Sequence, residues 1–171
     1  MNRPPIGYAA LRVGRVSAAG QVYFVTKIAQ DRVRPDWSAT EQQARGRLLQ
    51  PGVPPILLAS LDWLQQQQFV VLLAYCIMPD HVHLLFQLGD KATLSSVMQR
   101  FGSFTSRQIH EQLELAGTWM AGFHEHALRA ETEMADIVGY IVQNPVKAGL
   151  VADAEAWPWS SAYRPTSDAA P

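Results

Sequence analysis

Cysteine is almost absent from this chain: Cys76 stands alone in 171 residues, which excludes an internal disulfide and any zinc site built from paired cysteines. No uninterrupted apolar run reaches the roughly 18–20 residues that a bilayer-spanning helix needs. The opening residues, Met1-Asn2-Arg3-Pro4-Pro5-Ile6-Gly7, lack the apolar centre of a signal peptide. A cytoplasmic location without membrane contact is therefore the default expectation. An excess of charge of one sign is missing too, because 14 Lys and Arg face 15 Asp and Glu. The chain as a whole has no basic footprint of the kind nucleic-acid binders usually carry. The balance is uneven along it, however: residues 1–36 hold six basic side chains against two acidic ones, a local excess of +4. With 48% hydrophobic and 17% charged residues, the composition is that of a folded globular chain.

What is present is an unusual strand. In Asp80-His81-Val82-His83-Leu84-Leu85-Phe86, two histidines flank one apolar residue. Successive strand side chains point to opposite faces, so His81 and His83 share one face while Val82, Leu84 and Phe86 share the other. One face can enter a core while the other presents two imidazoles, a bidentate grip for a metal ion. A single histidine there would read as a satisfied core residue; two at this spacing make a metal site an expectation to set beside that reading.

The rest of the chain supplies a frame. Residues 1–20, rich in Pro and Gly, read as a flexible arm, residues 21–165 as one domain and residues 166–171 as a disordered tail. Residues 21–28 form a first strand, and Ser38 with Glu41 a capping box for a helix running toward Leu49. A second helix follows Pro54-Pro55. Phe69 to Ile77 reads as a strand apolar enough to be central, turning at Met78-Pro79-Asp80 into the histidine strand. A helix over 93–115 turns Leu94, Val97, Met98, Phe101 and Phe104 inward. A last strand over 119–128 and a helix opened by Glu131, Glu133 and Asp136 complete the order. This order predicts an α+β fold, a four-stranded antiparallel sheet with helices on one face and the histidine face partly open.

In the last helix, Met134, Ile137, Val138 and Ile141 make the buried stripe at about 100° per residue. Tyr140 and Asn144, one turn apart, project from its border, while Gln143 lies farther round toward solvent. Asn144 before Pro145 predicts that the helix ends or kinks there. A boundary tyrosine and a helix-ending asparagine are the bland alternative for this pair.

Pro79 to Leu85, followed by Tyr140-Ile141-Val142-Gln143-Asn144-Pro145-Val146-Lys147-Ala148-Gly149-Leu150-Val151, resembles the REP-associated tyrosine transposases. These are single-tyrosine members of the HUH endonuclease superfamily. Phe123-His124-Glu125-His126-Ala127-Leu128-Arg129 and Trp157-Pro158-Trp159-Ser160-Ser161 match further segments in the same order. The resemblance implies a ferredoxin-like sheet with the histidine motif on a central strand. It also implies cleavage and rejoining of single-stranded DNA beside hairpins, in a bacterial, nucleoid-associated setting. Carried over by position, His81 and His83 are catalytic metal ligands, Tyr140 is the nucleophile and Asn144 the third ligand, with Mg2+ or Mn2+ as cofactor. A homodimer sharing sites between chains is one expected assembly; the oligomeric state stays open. His126, Arg107, Gln143 and the arm residues Arg3, Arg12 and Arg15 form an outer set of ligand-orienting or DNA-contacting candidates. The sequence departs from the family where Gly102 replaces a frequent lysine, Met120 a glutamine and Glu125 an aspartate. The first change removes an expected phosphate contact, for which Arg107 is the nearest substitute. A catalytically silent DNA-binding regulator of the same fold, and a zinc-dependent hydrolase using the two histidines, are the competing expectations.

Overall fold

Alternation along the first strand decides the architecture. In β1 (Val22–Ile28), Tyr23, Val25 and Lys27 are buried on one side, while Val22, Phe24 and Thr26 on the other are half-buried. A computed structural model of the protein describes residues 17–129 and 131–165. The expectations for Arg3, Arg12 and Arg15 and for the tail from residue 166 lie outside these residues. β1 pairs antiparallel with β3 (His81–Leu88) and with β4 (His124–Ala127), and β3 pairs antiparallel with β2 (Val70–Ile77). The sheet order is β2-β3-β1-β4, so the histidine strand is central, as the sequence implied.

The apolar strand expected to be central, β2, is instead an edge strand. The segment around residues 157–161 lies along its outer edge: Ile77 donates to the Trp159 carbonyl at 2.8 Å and Ser161 to the Tyr75 carbonyl at 3.0 Å. Trp157, buried to 3%, donates its indole N–H to the Ile77 carbonyl. The docked segment satisfies edge groups that would otherwise stand unpaired.

Among the described residues four α-helices complete the fold. α1 (Ala39–Arg45) has the expected capping box, Ser38 and Glu41 each satisfying the other's backbone N–H. It stops at Arg45, short of Leu49, and a 3-10 turn over Arg47–Leu49 follows. α2 (Val53–Gln66) carries Pro54 and Pro55 in its first turn, where missing N–H groups cost no intrahelical bond. α3 (Leu94–Leu113) presents Leu94, Val97, Met98, Phe101 and Ile109 to the core. Phe104, expected inward, is 40% exposed, because at about 100° per residue it falls at the border of the stripe, about 60° round from Phe101. The last strand is confined to His124–Ala127, with Trp119 making only an isolated bridge to Ala29.

α2 and α3 cover one face of the sheet, packing on Val25, Val82, Leu84, Phe86 and Leu88. α4 (Glu131–Lys147) crosses part of the other face, with Ile141 buried against Ala74, Cys76 and Leu85. The face expected to be partly open is thus roofed by one helix. α4 also runs through Pro145 rather than ending before it. The proline withholds one N–H, and the helix continues to Lys147; Gly149, in the turn that follows, has a φ of 69°, the left-handed conformation common after helix ends.

Candidate active site

Three segments converge under α4. His81 and His83 project from the start of β3, and their Nε2 atoms stand 3.2 Å apart. Each ring is held from behind. The Nδ1 of His81 donates to the Asp80 carboxylate at 2.7 Å, and the Nδ1 of His83 meets the Thr26 hydroxyl at 2.9 Å. Thr26 lies directly opposite His83 in the β1–β3 register, so strand pairing itself delivers it. Asp80 is 2% exposed and accepts from Arg32 Nε at 2.6 Å and from the Val33 backbone N–H. Burial works to raise the Asp80 pKa, but the hydrogen bond and charge of His81, with those from Arg32 and Val33, prevail and lower it to about 2. His83 is held neutral: burial, then the neighbouring His81, lowers its pKa to about 3, against a raising contribution from Asn144.

From α4, Tyr140 brings its ring edge-on to His83, with centroids 5.5 Å apart, and to Phe24 at 5.9 Å. The tyrosine remains 43% exposed. Asn144, one turn later, donates its amide N–H to the Tyr140 carbonyl at 2.7 Å, and its side chain also hydrogen-bonds toward His83. Gln143 is exposed on the far side of the helix. His81, His83, Tyr140 and Asn144 therefore lie together.

The outer candidates are dispersed. His126 is on the same sheet face, opposite Phe24 in the β1–β4 register, and pairs with Glu133 at 3.6 Å. Arg107 lies over the Phe104 ring on α3, beyond the opposite face of the sheet. Glu125, one residue from His126 in β4, points to that opposite face, as regular alternation requires. The space beside Gly102 is already taken: a Cβ there would lie 3.0 Å from Lys27 Cε, and Lys27 itself is buried and donates to the Gly122 carbonyl. Cys76 is fully buried, which pushes its thiol up to about 12 and keeps it protonated.

Sequence reasoning missed Asp80, Arg32 and Thr26 as orienting groups, and Lys147, whose Nζ stands 5.0 Å from the Tyr140 ring centroid. Asp80 adjoins the histidines in sequence and could have been found there. Arg32 and Thr26 reach the site only through β1 and its following loop.

The donor set fits a metal ion. Two neighbouring ligands at about 2.1 Å from one metal lie roughly 3.0–3.4 Å apart, the spacing the two Nε2 atoms already hold. Both rings have their Nδ1 engaged elsewhere, which leaves Nε2 for coordination, and the Asp80–His81 pair repeats the carboxylate–histidine support usual behind metal ligands. Among the described residues no three His, Cys, Asp or Glu side chains are placed to hold a metal ion together; the Asn144 amide lies beside His83.

Comparison with known proteins agrees with this architecture. A Haemophilus influenzae protein named as a REP-associated tyrosine transposase is 35% identical over 102 residues, covering 53% of this chain and 58% of that one. The REP-associated tyrosine transposase of Escherichia coli is 31% identical over 93 residues, covering 53% of each. The chain thus spans about half the length of the curated relatives it matches. A REP-associated tyrosine transposase solved bound to a REP hairpin superposes with a TM-score of 0.68 over 86% of this chain and 79% of that one, at 24% identity, and so shares the fold. Among the described residues no helix is long and apolar enough to cross a membrane. The family model described as "Transposase IS200 like" matches residues 42–144, more than half of the sequence, and the chain belongs to that family.

Proposed function

We propose that the protein is a metal-dependent endonuclease and strand transferase for single-stranded DNA, acting through Tyr140 at repeat-derived hairpins. The observation that carries this reading is the convergence of an exposed tyrosine, two imidazoles with facing Nε2 atoms and an adjacent amide. His81, His83 and Asn144 would hold Mg2+ or Mn2+, which when bound offsets phosphate charge and orients the phosphorus for attack. Asn144 contributes an amide oxygen, a hard ligand suited to these ions. The Tyr140 hydroxyl attacks in line: the bond from its oxygen to phosphorus forms as the bond from phosphorus to the 3′ oxygen breaks. The phenolic proton is given up and the departing oxygen gains one, leaving a 5′-phosphotyrosine and a free 3′-hydroxyl. The stored bond makes the step reversible by another 3′-hydroxyl.

The exposure of Tyr140 at the edge of α4 favours an extended strand, since pairing and stacking in a duplex fix the backbone and restrict in-line approach to one phosphate. The relative solved with a REP hairpin has this fold, which supports hairpin-flanked DNA as the substrate here. The test is incubation with single-stranded hairpin DNA from the flanks of the gene, with and without Mg2+ or Mn2+, with each side of the cut end-labelled. The expected result is a metal-dependent adduct retaining the 5′ phosphate, and none with blunt duplex. Binding without cleavage would favour a regulator instead. Turnover of a small ester with no adduct would favour a zinc hydrolase.

A further inference from the structure

α4 carries more than the nucleophile and the amide. Tyr140, Asn144 and Lys147 stand at i, i+4 and i+7, a single stripe down the helix that exists only because the helix continues through Pro145. Side chains on a helix lean toward its N-terminus, and the Lys147 stem accordingly brings its ammonium back over the Tyr140 ring, 5.0 Å from the centroid. As the last residue of α4, a cation at this position is also favoured by the helix dipole. Among the described residues Lys147 has no carboxylate partner. Its contact is with the ring face, whereas the attacking oxygen lies at the ring edge and stays free. A phosphate brought in line with that oxygen comes within reach of the ammonium and its three donors. Arg107, the residue expected to supply such a contact, lies instead beyond the far face of the sheet.

We infer that Lys147 is a substrate-binding residue of this site, which holds the scissile phosphate, or the phosphate next to it, beside Tyr140. The inference rests on the strand-transfer reading and extends it by naming the cation that receives the DNA backbone. An alternative role as a plain helix-end lysine predicts no dependence of DNA binding on this side chain.

The test uses the full chain and a single-stranded hairpin oligonucleotide, with Lys147→Met and Lys147→Arg. Binding is followed without metal, to prevent cleavage, across a salt series, and adduct formation is followed with metal. Loss of one phosphate contact should reduce the slope of log affinity against log salt by about 0.7. Lys147→Met is expected to show that reduced slope and a several-fold higher KM for adduct formation, with Lys147→Arg restoring both. Thermal unfolding of the two variants should match that of the parent protein, since the side chain is exposed. An unchanged salt slope and unchanged KM in Lys147→Met would overturn the inference while leaving the strand-transfer reading intact. Absence of any adduct with the parent protein would overturn that reading itself.

Discussion

The two faces of the sheet are built from alternate residues of the same strands, yet they differ in kind. Toward α2 and α3, β3 offers Val82, Leu84, Phe86 and Leu88, all buried in a continuous apolar cluster with Phe101. Toward α4, the same strand offers His81, His83 and Leu85, with Thr26 and Phe24 beside them from β1. The first face holds the domain together, and the second grades outward from buried His83 through partly exposed His81 to Tyr140, 43% exposed. Period-two alternation thus divides one strand between a wholly apolar face and the face that carries the proposed site, and the division can be broken from either side.

The largest contrast is expected between Tyr140→Phe and Phe101→Ala. Tyr140→Phe keeps the ring against His83 and removes only the hydroxyl. It should abolish adduct formation and cleavage while leaving DNA binding and thermal stability nearly unchanged. Phe101 is fully buried on the structural face, and Phe101→Ala should cost about 3–5 kcal/mol in denaturant unfolding. Equal loss of stability in both variants would mean that the faces are not separable.

Asp80→Asn comes next. It removes the carboxylate behind His81 and should weaken metal affinity by about 10–100-fold, read from the metal concentration for half-maximal cleavage. Acid should reveal the same buried groups. His83 has a pKa lowered from 6.5 to about 3, so on acidification the unfolded chain takes up a proton that the folded one refuses, and stability falls as pH drops from 6.5 toward 3. Asp80, lowered from 3.8 to about 2, contributes stability above pH 3.8 that is lost as pH falls toward 2. Unfolding midpoints measured across this range without metal should decline continuously, and a flat profile from pH 6.5 to 4 would contradict the burial of neutral His83.

The smallest expected effects separate neighbours on α4. Asn144→Ala should raise the metal requirement by about tenfold, the order expected for losing one polar partner. Gln143→Ala, on the exposed side of the helix, should change it little. A reversed result would show that the helix presents a different amide to the histidines.

Much of this division was legible in the sequence. The capping box at Ser38, the turn at Met78-Pro79-Asp80, and the shared face of His81 and His83 follow from local rules, because neighbours along the chain satisfy them. The edge position of β2 did not, because its covering partner is a segment about eighty residues away. Pro145 misled for a related reason. A proline there predicts an end or a kink, but one missing N–H is a smaller loss than the packing of Ile141 and Leu150 against the sheet, and the helix runs on to Lys147. Thr26 and Arg32 were invisible as site residues because only strand pairing and the loop after β1 bring them to the histidines.

The strand-transfer reading requires that Tyr140 become covalently joined to DNA. Its most direct measurement is proteolysis of the protein–DNA adduct formed with a single-stranded hairpin, followed by mass spectrometry of the nucleotide-bearing peptide. A nucleotide 5′-phosphate is expected on Tyr140 and on no other residue. A nucleotide on Tyr163, or on any residue in the Tyr140→Phe variant, would contradict it.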